Sequence, residues 1–198
     1  MTSPFRIVIV PGWRNSGPGH WQSLWAEQLP GAVRVQQQDW LVPHRDAWVG
    51  ELEALLLSDK RPVIVVAHSL GCIATVHLGA EAASRVRGAL LVAPADPERR
   101  AQLADFAPVP YAQLPYRSVL VASSNDPFCP IRRAGAYARA WGSELVRLQN
   151  AGHINVESGF GAWPLGLALL QSLMDEPARQ AGYASSGAQA EGEPALVA

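Results

Sequence analysis

The sequence has little cysteine, no long apolar run and almost no net charge, and each shortage excludes a class of protein. Two cysteines, Cys72 and Cys129, are too few for a disulfide framework or a CxxC metal site. The apolar run at residues 7–10 is too short for the core of an export signal, and no later stretch has the length of a membrane span. The net charge of −1 gives no reason to expect a nucleic-acid or membrane partner. We therefore expect a cytoplasmic protein.

The remaining composition is that of one globular domain. The chain has 198 residues, of which 48% are apolar and 17% are charged, and this length is enough for a single hydrophobic core. The composition changes at Pro177, after which Ala, Gly, Ser, Gln and Glu dominate. We expect a folded domain over residues 1–176 and a flexible tail over residues 177–198, because the tail can bury too little surface to hold itself in place.

Six short apolar runs, separated by helical patterns, indicate an α/β fold. The runs are residues 5–10, 33–37, 62–67, 89–93, 118–123 and 144–148. Three of them (IVIV, VIVVA and ALLVA) are continuous rather than alternating, which is typical of parallel strands that helices cover on both faces. A short helix is also expected over residues 98–106. The alternation predicts a doubly wound, mostly parallel sheet of about six strands, with ligands at the carboxyl ends of the strands.

The strongest chemical pattern is the segment VIVVAHSLG, which ends at Gly71. A buried strand, a sharp turn at Ser69 and a helix from Leu70 are typical of a nucleophile elbow, which exposes a serine hydroxyl above the sheet. Ala67 stands where the usual G-x-S-x-G pattern has its first glycine, and it is still small. The segment predicts Ser69 as a nucleophile; the alternative is a serine in an ordinary strand-to-helix turn.

A nucleophilic serine needs a base, and five histidines compete for that role. His153 follows the last predicted strand in the loop NAGHIN, so it comes to the same edge of the sheet as Ser69. The side chain of His68, next to the nucleophile, is expected to point away from the site. His77 is expected on a packed helix face, His44 at the start of a helix and His20 in the first strand-to-helix loop. We predict His153 as the base.

The base needs an acid that orients it, and two Asp-Pro pairs supply candidates. Asp126 follows the strand that directly precedes the one leading to His153, whereas Asp96 follows an earlier strand. Both agree with the chain order of serine, acid and histidine in this type of sheet. Each pair could instead be a simple turn former. We favour Asp126.

The loop VPGWRNSG after the first strand is the candidate oxyanion loop. Gly12 allows its backbone to come close, so we predict the backbone N–H groups of Trp13 and Leu70 as donors to an oxyanion. The loop has neither the Lys-Ser/Thr of a P-loop nor the spacing of G-x-G-x-x-G, so no nucleotide cofactor is expected. His20 and Trp40 lie in loops after strands and are candidates for a substrate pocket. No metal site is predicted.

Together these motifs resemble the retinoblastoma-binding-protein-9-like family of small serine hydrolases, within the α/β-hydrolase superfamily. The matching pieces span about residues 5–175: Pro11-Gly12-Trp13, Gly19-His20-Trp21 with Trp25, Asp39-Trp40-x-x-Pro43 with Trp48, Ala67-His68-Ser69-Leu70-Gly71, Ser124-Asn125-Asp126-Pro127 and Gly152-His153-Ile154-Asn155. The resemblance implies an α/β-hydrolase fold, a triad of Ser69, Asp126 and His153, and no large cap domain.

The function expected from these residues is hydrolysis of a small-molecule acyl substrate, an ester or activated amide, through an acyl-enzyme and without a cofactor. A carboxylesterase-like activity is favoured. The alternative is a catalytically weak hydrolase-fold protein that acts as a protein-binding module, although the sequence itself indicates no protein partner. A perhydrolase or C–C bond hydrolase is a third interpretation, and a dinucleotide-binding protein ranks last because its glycine pattern is missing.

Overall fold

The structure, a computed structural model, describes residues 5–175, and a six-stranded sheet lies at its centre. The strands are β1 (Arg6–Val10), β2 (Ala32–Arg34), β3 (Val63–His68), β4 (Val86–Val92), β5 (Arg117–Ser123) and β6 (Glu144–Leu148). Their order is β2-β1-β3-β4-β5-β6, and each neighbouring pair is parallel. The predicted parallel sheet of six strands is confirmed. The predicted tail, residues 177–198, lies outside the described residues.

Helices cover both faces of the sheet. They are α1 (Trp21–Gln28), α2 (Arg45–Leu57), α3 (Leu70–Val76), α4 (Ala80–Ala83), α5 (Ile131–Trp141) and α6 (Pro164–Asp175). Side chains of α1 and α6 pack with one set of strand residues, including Ile9 and Val66. Side chains of α2, α3, α4 and α5 pack with the other set, including Val8 and Val65. Because alternate residues of each buried strand face opposite layers, continuous apolar runs are needed, as the sequence predicts.

The largest departures from the expected boundaries are at three places, and β1, β3 and β5 differ by a single residue at one or both ends. Strand β2 ends at Arg34 rather than continuing to residue 37, and the Arg34 side chain donates to the Ser16 carbonyl in the loop after β1. Strand β4 begins earlier, at Val86, and includes Arg87 and Gly88, which interrupt the apolar pattern beside a shift in register with β3. The helix expected over residues 98–106 is two short 3-10 helices, Pro97–Arg99 and Ala101–Phe106. Arg100 has extended backbone angles and separates them.

The strand order gathers four loops at one edge of the sheet. Strand β3, which leads into Ser69, lies between β1 and β4, and β5 and β6 follow on the β4 side. The loop after β1 therefore reaches Ser69 from one side, and the loops after β5 and β6 reach it from the other. No large cap domain is present within residues 5–175. No helix in that range is long and apolar enough to cross a membrane.

Candidate active site

Ser69 occupies a strained turn between β3 and α3. Its φ of 55° and ψ of −121° lie outside the regions that non-glycine residues usually adopt. The turn is held because the Ser69 N–H donates to the carbonyl of Val92 on the neighbouring strand, at 3.0 Å. Helix α3 begins at the next residue, Leu70. The predicted strand–turn–helix geometry around Ser69 is therefore present.

Two glycines allow the loop after β1 to approach this turn closely. A Cβ atom on Gly71 would lie 2.3 Å from the carbonyl oxygen of Val10, and one on Gly12 would lie 2.7 Å from Cβ of Ser69. Both distances are shorter than side chains tolerate, so a larger residue would push the loop away from α3. Among the hydrogen bonds of residues 5–175, none uses the N–H of Trp13 or Leu70 as donor. The predicted oxyanion donors are therefore both free of intramolecular acceptors within that range.

A chain of hydrogen bonds joins Ser69, His153 and Asp126. The hydroxyl of Ser69 is 2.9 Å from Nε2 of His153, and Nδ1 of His153 is 2.9 Å from both carboxylate oxygens of Asp126. With Nδ1–H donating to the carboxylate, Nε2 accepts from the serine hydroxyl, which is the arrangement for removing its proton. Asp126 also accepts from the Phe128 N–H at 2.8 Å, which orients the carboxylate.

The rival acid is placed elsewhere. Asp96 is buried, and one of its carboxylate oxygens lies 3.3 Å from Nε of Arg133 on α5. Its other oxygen accepts from the Glu98 N–H and caps the first 3-10 helix. The structure thus brings Asp126, and not Asp96, into contact with His153, and gives Asp96 a structural environment.

The backbone before His153 is tied to the residues before Asp126, a feature that the sequence reasoning missed. Oγ of Ser124, Oγ of Ser123 and Oδ1 of Asn125 accept from the N–H groups of Asn150, Ala151 and Gly152, at 2.9, 3.0 and 2.8 Å. In the sequence, these contacts are indicated only by three consecutive polar residues, Ser123 to Asn125, directly before Asp126. Because one loop braces the other, the two partners of Ser69 are positioned as a unit.

The side chain of His68 does not point away from the site, so that expectation is wrong. Its ring centroid is 4.8 Å from that of His153 and 4.9 Å from that of His20. Its Nε2–H donates to the backbone carbonyl of His153 at 2.9 Å. His68 follows Ile64 and Val66 on the face of β3 that packs with Trp21, and the rings of His20 and His153 also lie on this face. Burial, followed by the charges of His153 and His20, lowers the pKa of His68 well below its usual range.

A cavity of about 620 Å³ opens at Ser69, within the size range of small-molecule sites. Its lining residues are Trp13, Arg14, Asn15, Gly17, Pro18, His20, His68, Ser69, Pro127, Phe128, Gly152, His153, Asn155, Val156, Glu157 and Ser158. Trp13 and Phe128 give it apolar walls, and the Phe128 ring packs on the His153 ring with centroids 4.2 Å apart. The cavity therefore offers apolar contact beside the Ser69 hydroxyl.

Of the two predicted pocket residues, one lines this cavity and the other does not. His20 is a lining residue, and its Nδ1 accepts from the Gln22 N–H at 3.1 Å. Burial above all, then Arg34 and His153, lowers the pKa of His20 to about 4, so its ring is neutral at pH 7 with the proton on Nε2. Trp40 is not a lining residue, contrary to expectation. Its ring packs against Trp48, and its carbonyl accepts from the Arg14 N–H.

Besides a serine nucleophile, two other kinds of site could support catalysis, a metal site and a cysteine nucleophile. Within residues 5–175, no group of three or more His, Cys, Asp or Glu side chains is arranged to hold a metal ion. Cys72 follows Ser69 by one helical turn, but it is fully buried and its thiol donates to the Val92 carbonyl. Burial raises the pKa of the Cys72 thiol, so it is not activated as a nucleophile.

Comparison with known proteins adds a family and several structural neighbours. The model of a family described as serine hydrolase matches residues 7–172. A protein assigned as a YdeN-like hydrolase from Pectobacterium atrosepticum is 37% identical, with a TM-score of 0.79 over 86% of this chain and 91% of its own. The comparison with curated proteins gave no match.

More distant structures share the fold. The ydeN gene product of B. subtilis is 22% identical, with a TM-score of 0.71 over 86% of this chain and 99% of its own. Est1E from Butyrivibrio proteoclasticus is 12% identical, with a TM-score of 0.62 over 88% of this chain and 86% of its own. Both likenesses concern the α/β-hydrolase architecture alone.

Proposed function

Since the chain belongs to the serine hydrolase family, we propose that it hydrolyses small esters or activated amides through an acyl-enzyme on Ser69. The observation that carries this proposal is the chain of hydrogen bonds from Ser69 through His153 to Asp126, at 2.9 Å for each link. Ser69 and His153 line an open cavity that is large enough for a small acyl substrate.

In the proposed first step, the hydroxyl oxygen of Ser69 attacks the substrate carbonyl carbon while Nε2 of His153 takes the hydroxyl proton. The carbonyl π electrons move to oxygen, and the N–H groups of Trp13 and Leu70 donate to the oxyanion that forms. Asp126 holds the imidazole in orientation and stabilises its cation. When the carbon–oxygen or carbon–nitrogen bond breaks, Nε2 returns the proton to the leaving group.

In the second step, a water molecule loses a proton to Nε2 of His153 and attacks the acyl carbon. A second oxyanion forms in the same place, and its collapse releases the acid and returns the proton to Ser69. The same three side chains therefore serve both halves of the reaction.

The narrower family group, the type of reaction, the size of the substrate and the cellular location are also proposals. The motifs around Trp13, Ser69 and His153 support membership of the retinoblastoma-binding-protein-9-like group and a carboxylesterase-like reaction. The modest cavity volume and the compact β-to-α connections favour small substrates over long lipids. A cytoplasmic location agrees with two cysteines that are both free and buried.

Labelling with a fluorophosphonate, followed by intact-mass measurement and peptide mapping, tests the nucleophile. We expect one adduct on Ser69 of the wild type and none on Ser69→Ala. His153→Ala should react at least about 100-fold more slowly, since general-base assistance contributes that much or more. Ser84→Ala, which changes an exposed serine on α4's carboxyl end, is the matched control and should label like the wild type.

A folded wild-type protein that remains unlabelled would contradict the proposal. Circular dichroism of each variant would establish that it is folded. In that case the alternative, a hydrolase-fold module that binds a protein partner, would replace hydrolysis as the interpretation. Labelling at a residue other than Ser69 would equally overturn the assignment of the nucleophile.

A further inference from the structure

The cavity that contains Ser69 carries one cationic and one anionic side chain, and these set its electrostatics. Among its lining residues, Arg14 and Glu157 alone belong to the Asp, Glu, Lys and Arg types. Arg14 lies in the loop after β1, and Glu157 lies in a short 3-10 helix, Val156–Ser158, after His153. Both side chains are exposed. Their positions on different loops give the cavity a cationic and an anionic wall.

The backbone holds Arg14 at the cavity in an unusual conformation. Arg14 and Asn15 have φ values of 68° and 67°, so two consecutive non-glycine residues are left-handed. Hydrogen bonds hold the strained pair: the Arg14 N–H donates to the Trp40 carbonyl at 2.9 Å, and the Asn15 N–H donates to the Gly12 carbonyl at 3.0 Å. Strain of this kind persists where the surroundings impose it, and it collects at functional sites.

A second arginine, Arg34, holds this loop by hydrogen bonds and adds to its positive charge. The guanidinium of Arg34 donates to Oδ1 of Asn15 and to the carbonyl of Ser16. It pairs with no carboxylate in residues 5–175. The loop therefore gains positive charge from Arg34 in addition to that of Arg14.

The guanidinium of Arg14 is fixed by an aromatic ring rather than by a carboxylate. It lies over the ring of Trp13, 4.3 Å from the centroid, and Trp13 lines the same cavity. Over the described part of the chain, Arg14 makes no ion pair with any acidic side chain, Glu157 included. Stacking leaves the edge N–H groups of a guanidinium available, and these match the two oxygens of a carboxylate.

We propose that the preferred substrates are esters that carry a carboxylate, which Arg14 binds at the mouth of the cavity. The inference rests on the proposed hydrolysis and adds a substrate class to it. Glu157 has the opposite effect, because its carboxylate repels an anionic substrate. Arg14 is thus a specificity-determining residue, whereas Ser69 and His153 perform the reaction.

Two matched pairs of esters test the proposal, one for each half of the substrate. In the first, 3-acetoxybenzoate carries the carboxylate on the leaving group, and its methyl ester is the neutral partner. In the second, monophenyl adipate carries it on the acyl chain, and methyl phenyl adipate is the neutral partner. The quantity measured is the ratio of kcat/KM for the anionic ester to kcat/KM for the neutral one. A ratio cancels effects of a variant on the reaction itself.

We expect Arg14→Gln to lower this ratio in at least one pair by about three- to tenfold, the range for a partly exposed charged hydrogen bond. Arg14→Lys keeps the charge but loses the paired N–H groups of the guanidinium, so its ratio should lie between those of the wild type and Arg14→Gln. Glu157→Gln should raise it. Lys60→Gln removes the same charge just before the amino end of β3, at the opposite edge of the sheet, and should leave the ratio unchanged. In the wild type the ratio should fall as the salt concentration rises from about 0.02 to about 0.5 M.

Unchanged ratios in Arg14→Gln for both pairs, with neutral esters still hydrolysed, would overturn the carboxylate preference and leave the hydrolase proposal intact. A wild-type ratio independent of salt would overturn it as well, and this readout does not require a variant to fold. Absence of hydrolysis of all four esters, together with absence of fluorophosphonate labelling on Ser69, would overturn both proposals.

Discussion

At the residue scale, His153 is in contact with a second imidazole, that of His68, whose ring centroid lies 4.8 Å from its own. His68 is buried, and its Nε2–H donates to the His153 carbonyl at 2.9 Å. Burial lowers the pKa of His68 well below its usual range, so the ring stays neutral. A neutral neighbour matters because His153 becomes a cation during the proposed reaction, and a second cation in contact would oppose that charge. His68 is therefore a positioning residue.

Replacing His68 tests this role. His68→Phe keeps a ring but removes the donor, and we expect kcat to fall about tenfold with KM nearly unchanged, because an unpaired buried carbonyl costs roughly 1–3 kcal/mol and loosens the base. His68→Gln places an amide donor at a similar reach and should recover most of kcat. Steady-state kinetics on phenyl acetate provide both constants.

His77 supplies the matched control for that experiment. Its Nε2 also donates to a backbone carbonyl, that of Phe106, at 3.0 Å, but away from Ser69. His77→Phe should lower thermal stability and leave kcat unchanged. Equal kcat values for wild type and His68→Phe, or a failure of His68→Gln to recover what Phe loses, would contradict the positioning role.

At the scale of elements, the loops that follow the neighbouring strands β5 and β6 are joined by hydrogen bonds and hold each other in place. The loop after β5 carries Asp126, and the loop after β6 carries His153. Asn125 joins them, because its Oδ1 accepts both from Oγ of Ser123 and from the Gly152 N–H, each at 2.8 Å. Asp126 and His153 are therefore positioned by hydrogen bonds between the two loops as well as within each loop.

Asn125→Ala removes the acceptor for both donors. We expect a fall in kcat of about tenfold, because a loss of roughly 1–1.5 kcal/mol of hydrogen bonding is enough to misplace His153 relative to Ser69. Hydrogen exchange at the amides of Gly152 and His153 should become faster. The control, Gln38→Ala, removes an exposed amide that bonds Glu51 and should change neither measurement. Wild-type exchange rates in Asn125→Ala would disprove the proposed support.

At the scale of the whole molecule, burial of histidines links stability to pH. The pKa of His20 is lowered from 6.5 to about 4 in the folded protein, by burial first and then by Arg34 and His153. Between these values the unfolded chain binds more protons than the folded one. The contribution of His20 to stability is therefore present above pH 6.5 and is lost progressively as pH falls toward 4. His68 acts in the same direction.

Urea unfolding at several pH values measures this linkage. From His20 alone, we expect the free energy of unfolding to fall by about 2 kcal/mol between pH 7.5 and pH 5. His20→Asn keeps an acceptor for the Gln22 N–H but does not titrate, so its stability should fall less over that range. His44→Asn, at an exposed position before α2, should follow the wild type. Parallel pH curves for His20→Asn and wild type would contradict the linkage.

Much of the fold was predictable because its rules are local. Continuous apolar runs predict buried parallel strands, and β6 was predicted with the boundaries that it has. The edge strand β2 was predicted poorly, because it pairs with β1 alone and its three residues are only half-buried, so the apolar pattern marks its ends weakly. The residues 98–106 form two 3-10 helices because Arg100 is extended, and no periodicity in the sequence marks that break.

The sequence by itself determined which residues come to the carboxyl edge of the sheet, because a strand followed by a turn places its next residues there whatever their side chains touch. Ser69, Asp126 and His153 were found in this way, and their roles remain a prediction. Only the tertiary structure decided where side chains point. In the structure, His68 contacts His153, Trp40 packs against Trp48, and the Arg14 guanidinium lies over the Trp13 ring. These directions depend on packing between segments distant in the chain, which local patterns do not encode.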